Sequence, residues 1–152
     1  MTNPPFDPAQ AHRYFASHCF NRTWEFIEKP DRTPADDADM LHCAIASLWH
    51  WTQCETVTET HLSVGHWQIA RVYALLRQPA NALAYAETCL RLSEDLAPFY
   101  LGYAHEAIAR AALLAGDQPR AQKHLREARF CLPQIIDLEE QKALAQDLET
   151  IQ

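Results

Sequence analysis

Apolar residues recur along this chain at intervals of three and four, and no stretch alternates apolar with polar positions. That is the period of an amphipathic helix and not of a strand. The helix starts are explicit. Asp7-Pro8-Ala9-Gln10 supplies a capping residue, a proline at the first helical position and a glutamine at the third, and Thr33-Pro34-Ala35-Asp36 repeats the device with aspartate. These signals predict helices over about 8–28 and about 34–54, and the short link Lys29-Pro30-Asp31-Arg32 makes them antiparallel. Thr56 to Thr60 reads as a β-branched polar connector. A third helix is expected over about 61–77, weakened early by Gly65 and stopped by Gln78-Pro79, and a fourth over about 79–94. Pro98 opens a fifth that ends at Ala115-Gly116, with glycine just past its end. Asp117 caps a sixth reaching Cys131-Leu132-Pro133, and Asp137 starts an acidic seventh that runs to about 151.

Two of these helices share a text. His66-Trp67-Gln68-Ile69-Ala70-Arg71 and His105-Glu106-Ala107-Ile108-Ala109-Arg110 both read H-x-x-I-A-R, one helix pair apart; downstream, Ala82 aligns with Ala121 and Cys89 with Ala128. His42-Cys43-Ala44-Ile45-Ala46-Ser47 is a weaker echo whose spacing does not fit a full repeat. In the last hairpin Ile108, Ala109, Ala112, Ala121, Leu125, Ala128 and Pro133 resemble the tetratricopeptide repeat, and in the middle one Ile69, Ala70, Tyr73, Ala82, Ala86 and Cys89 do so less faithfully. The likeness covers about 61–133; the spacing exceeds the usual repeat length, and His66 and His105 stand where that pattern has Trp. The resemblance implies one all-α domain over 1–152: a right-handed superhelix of three antiparallel hairpins, about 8–54, 61–94 and 98–132, closed by a capping helix at about 137–151.

Composition supports a single helical core. The chain has 152 residues, 48% of them hydrophobic, and only 3 Gly, enough for one domain and not for two independent cores. A net charge of −7 leaves no basic stripe for nucleic acid and no polybasic patch for anionic membranes. The five cysteines, Cys19, Cys43, Cys54, Cys89 and Cys131, form no C-x-x-C pair and lie inside apolar helical runs, as reduced thiols do. The N-terminal residues lack a signal-peptide pattern and no apolar run reaches membrane-spanning length, so a cytoplasmic location is expected.

The resemblance also implies which residues face a concave groove: Val64, Trp67, Arg71 and Leu75 on the third helix, and Tyr103, Glu106, Arg110 and Leu114 on the fifth. Trp67 with Arg71 and Glu106 with Arg110 stand four apart and share a face. Two guanidinium forks beside aromatic rings suit a carboxylate or phosphate, so the groove is expected to take a peptide segment or small anionic ligand. The alternative is that Arg71, Glu106 and Arg110 form an ion-pair network that only holds helices together. Ser47 and His50, one turn apart on the second helix, are either core residues or walls of the same groove. The sequence holds neither H-x-x-x-H nor H-E-x-x-H, so its eight histidines offer no chelating pair on one helix; equivalent positions on successive helices stand roughly 8–10 Å apart. With no glycine-rich phosphate loop and nothing to activate a thiol, no catalytic, cofactor or metal residues are assigned. A histidine-containing bundle metalloenzyme and a self-associating scaffold, hence a homo-oligomer, stay open as alternatives.

Overall fold

The computed structural model describes residues 5–151, and among them every regular element is a helix. In chain order these are α1 (Pro8–Glu28), α2 (Pro34–Thr52), α3 (Glu59–Leu75), α4 (Pro79–Ser93), α5 (Pro98–Leu114), α6 (Gln118–Cys131) and α7 (Leu138–Glu149), with one 3-10 turn at Leu132–Gln134 before α7. None of them is long and apolar enough to cross a membrane.

The caps explain where the helices begin. Thr33 accepts from the Asp36 amide at 3.2 Å and the Asp36 carboxylate accepts from the Thr33 amide at 2.8 Å, closing a capping box. Lys29 donates to the same carboxylate at 2.7 Å, and this contact, with the Thr33 bonds, holds the Asp36 carboxyl at about 2. α3 starts two residues earlier than its sequence suggests because Thr58 and the His61 imidazole form a second capping box: the Thr58 amide donates to His61 Nδ1 at 3.1 Å. A histidine in that role lies outside the usual Ser/Thr-x-x-Glu/Gln pattern. α3 also ends earlier, at Leu75, since Arg77 takes a left-handed φ of 56°. Gly116, after α5, does the same at φ 80° without the steric cost of a Cβ.

The closest packing is α1 on α2, α3 on α4 and α5 on α6, with α4 on α5, α2 on α3 and α3 on α5 joining the pairs. Alanines at the crossings, among them Ala70, Ala82, Ala86, Ala109, Ala121 and Ala128, are all but fully buried and bring backbones close, while Ile69, Ile108 and Leu125 fill the spaces between them. Gly65, read in the sequence as a weak point, is a point of approach: a Cβ there would stand 2.8 Å from Leu48 Cδ1. Gly102 does the same for α5, where a Cβ would meet Leu144 Cδ2 of α7 at 2.5 Å and Cys131 Cβ of α6 at 3.2 Å. α7 is thereby seated on α5 by the fully buried Leu144, with Leu148 and Ile151 in the same cluster.

Leu144→Ala is expected to cost about 2–5 kcal/mol in chemical denaturation through the cavity it leaves. Gly102→Ala should cost about 1–3 kcal/mol by overpacking the same place. A Gly102→Ala protein as stable as its parent would mean that α7 is not seated as described.

Candidate functional site

The chemistry of the inner face is organised around one carboxylate. Glu106 on α5 is 1% exposed. A carboxylate so far from water is stable only with hydrogen-bonding partners around it. Arg110, one turn on, donates from Nε at 2.7 Å and from a terminal nitrogen at 2.6 Å; Arg71 on α3 donates at 3.2 Å; the Trp67 indole N–H donates to the other oxygen at 3.1 Å. Asp147 on α7 extends the network. Its carboxylate lies 3.7 Å from Arg71 and accepts from the Tyr103 hydroxyl at 2.8 Å, while Arg110 reaches the Asp147 carbonyl at 3.2 Å and Thr150 Oγ1 at 2.8 Å. Two guanidinium groups thus balance two carboxylates and join α3, α5 and α7. Burial, and then the Asp147 carboxylate it donates to, keep the Tyr103 phenol protonated far above its ordinary range. Arg71 Nε is buried with no hydrogen-bond partner among the described residues.

Three clefts lie along α3 on this face. The middle one, about 220 Å³, is walled by Trp24, Val64, Trp67, Phe99, Tyr100 and Tyr103, with Ser63 and Cys89 at its floor and Asp147 at its edge. Its rings follow one another: Trp24 to Trp67 at 5.8 Å, Trp67 to Tyr103 at 5.2 Å, Tyr103 to Phe99 at 5.1 Å and Phe99 to Tyr100 at 5.3 Å between centroids. Toward the start of α3 a cleft of about 380 Å³, which shares Val64, is lined by Phe20, Asn21, Trp51 and His61. Toward its end a cleft of about 420 Å³ is lined by Arg71, Leu75, Arg77, Arg110, Leu114 and Thr150. Cys89, buried beneath the aromatic cleft, is pushed up to about 11 by its burial and is a thiol at neutral pH.

The eight positions expected to face inward all meet here: seven line these clefts, and Glu106 lies behind them. Ser47 and His50 stand elsewhere. Ser47 is buried between α1 and α2, where its hydroxyl donates to the Ala16 carbonyl at 2.7 Å. His50 meets His12 of α1, Nδ1 to Nδ1, at 2.9 Å. His105 of α5 meets His124 of α6 in the same way, also at 2.9 Å. In each pair one imidazole donates and the other accepts, which requires at most one charge. Spacing along a single helix cannot reveal such pairs. Among the described residues, no three His, Cys, Asp or Glu side chains stand together as metal ligands would. Trp24, Phe99, Tyr100, Arg77 and Asp147 are site residues that the sequence did not single out; Phe99 has a signal, since it stands one turn before Tyr103.

Glu106→Ala would strand two half-buried guanidinium groups that now face a buried carboxylate, and the expected loss is about 3–5 kcal/mol of unfolding free energy. A loss under about 1 kcal/mol would show that water already screens the network. The second expectation concerns pH. Burial, and then the neighbouring His105, hold His124 down at about 4, and His124 is 8% exposed. The unfolded chain therefore binds the extra proton first, so this contribution is complete above about pH 6.5 and is lost as pH falls toward 4, by up to roughly 3 kcal/mol. Denaturation at pH 7.5 and 4.5 should show the drop, and His124→Gln should flatten it; an unchanged pH slope in the variant would refute the assignment.

No family model matches this chain, nor does any curated protein or solved structure. The tetratricopeptide resemblance therefore rests on this chain's own residues.

Proposed function

We propose that this chain is a tetratricopeptide-like binding module, its three hairpins coiled into a right-handed superhelix and closed by α7, that takes an extended peptide segment along the α3 groove. The fold part of this reading is supported by the three tightly packed pairs and by a shared interval. Trp67 and Glu106 stand 39 positions apart, and at the same interval fall the histidines and arginines of the two H-x-x-I-A-R segments and the left-handed residues Arg77 and Gly116.

The observation that carries the function is the series of three clefts along α3, the first two of which share Val64. Thr60 at one end and Leu75 at the other are about 22 Å apart at 1.5 Å per helical residue. About six or seven residues of extended chain span that length. Of the two ligand classes left open, the peptide segment is better supported. A small anion would need free positive charge, and Arg71 and Arg110 have already matched theirs to Glu106 and Asp147. Arg77 lines the last cleft and is exposed, so an acidic side chain of the peptide has a partner there. The histidine metalloenzyme has no supporting observation, and a peptide groove requires no catalytic residue.

A randomised heptapeptide library screened by fluorescence polarisation tests the reading. Selected peptides should quench Trp24 and Trp67, lose at least about tenfold in affinity on Tyr100→Ala, and lose several-fold on Arg77→Glu. Selection of no peptide, or only of peptides indifferent to both variants, would overturn the groove.

A further inference from the structure

The aromatic cleft and the arginine cleft present opposite chemistry along the same helix. Of the residues that line the aromatic cleft, Asp147 alone carries a formal charge, and that charge is negative. The guanidinium groups lie behind it, directed at Glu106 and opening onto the other cleft. The polar hydrogens nearest the network are also turned away. Trp67 gives its N–H to Glu106 and Tyr103 its O–H to Asp147, so neither polar hydrogen is left for a ligand. Trp67 and Tyr103 meet at 76°, Tyr103 and Phe99 at 77°, and Phe99 and Tyr100 at 77°. Successive near-right angles make an edge-to-face cluster of rings, not a flat stack. The floor is polar: Ser93 donates to the Cys89 carbonyl at 2.8 Å, so Ser63 donates to Ser93 at 2.7 Å, and the Ser63 oxygen lies 3.6 Å from Cys89 Sγ.

Ring faces carry negative quadrupole density and attract a cation that sheds part of its water at low cost. The net charge of −7 on the whole chain has the same sign of preference, and the Asp147 carboxylate at the edge, held by Tyr103 and 3.7 Å from Arg71, adds no repulsion to a cation. We infer that the aromatic cleft between α1, α3 and α5 is a cation box for an alkylammonium group, in the form of a lysine or methylated lysine side chain or of a small quaternary amine. The inference rests on the groove reading for the cleft's being a ligand site, and it names the group that enters. A peptide that fits both clefts carries its cation here and its acid beside Arg77. The separation is set by α3, where Trp67 and Ala74 stand about 10 Å apart along the axis.

Calorimetry with a charged probe and its uncharged twin tests the sign of the preference. Choline and 3,3-dimethylbutan-1-ol have nearly the same shape and differ by the ammonium charge. Choline should bind at least about tenfold more tightly, with a several-fold loss on Asp147→Asn and on Tyr100→Leu, each checked for an unchanged fold by thermal melting. A glycine-flanked heptapeptide carrying trimethyllysine, compared with free choline, separates the two sources: tighter peptide binding assigns the site to a side chain, tighter choline binding to a free amine. Equal binding of the alcohol would overturn the cation box while leaving an apolar anchor pocket, and so the peptide groove, standing. Failure of both probes and of the trimethyllysine peptide would also overturn the box. Failure of the groove itself would show instead in the heptapeptide library.

Discussion

A carboxylate at the centre of a helical stack needs partners from several helices, and Glu106 has them from two, with its arginine partners reaching a third. Its charge sits 1% exposed between α3 and α5. Its partners make the pairing of α3 with α5, and of both with α7, specific in a way that alanine packing cannot be. Interlocking small residues allow helices to slide by a turn at modest cost, whereas a buried ion pair tolerates no such shift. Slipping α3 by one turn would separate Arg71 and Trp67 together from Glu106. The inner wall of the molecule therefore has one register.

That register decides what the inner wall can do. Because Trp67 and Tyr103 spend their polar hydrogens on carboxylates, their rings stand edge to face and leave a space between α1, α3 and α5 that side chains do not fill. Because the guanidinium groups point the other way, the positive side of the network opens onto a separate cleft. One ion-pair network thus sorts the groove into an aromatic region edged by a carboxylate and a region edged by arginines. The charges that hold the helices together leave the clefts along α3 with their present pattern.

The histidine pairs show the same economy within a hairpin. His105 and His124 share one proton across α5 and α6, as His12 and His50 do across α1 and α2. Each arrangement satisfies two half-buried rings at neutral pH and turns repulsive when both are charged. Exposed apolar side chains stand at both ends of the molecule: Phe15 and Trp49 beside the first pair, and Phe130, Ile136 and Leu138 around the start of α7.

Local chemistry made the helices legible in the sequence. Asp7-Pro8, Thr33-Pro34, Pro98, Gly116 and Asp117 act within a few residues of themselves, so the element type and most boundaries could be read directly. Its errors were local as well: a histidine serving as a capping-box acceptor, and an arginine in a left-handed conformation that glycine usually takes. The tetratricopeptide resemblance also singled out Val64 to Leu114 on α3 and α5, and seven of those eight side chains line the clefts. Only the tertiary structure decided that Ser47 belongs between α1 and α2, that histidines pair across helices, and that Asp147 and Trp24 complete the cleft. These relations join residues dozens of positions apart, and helical periodicity carries no information about which face of one helix meets which face of another.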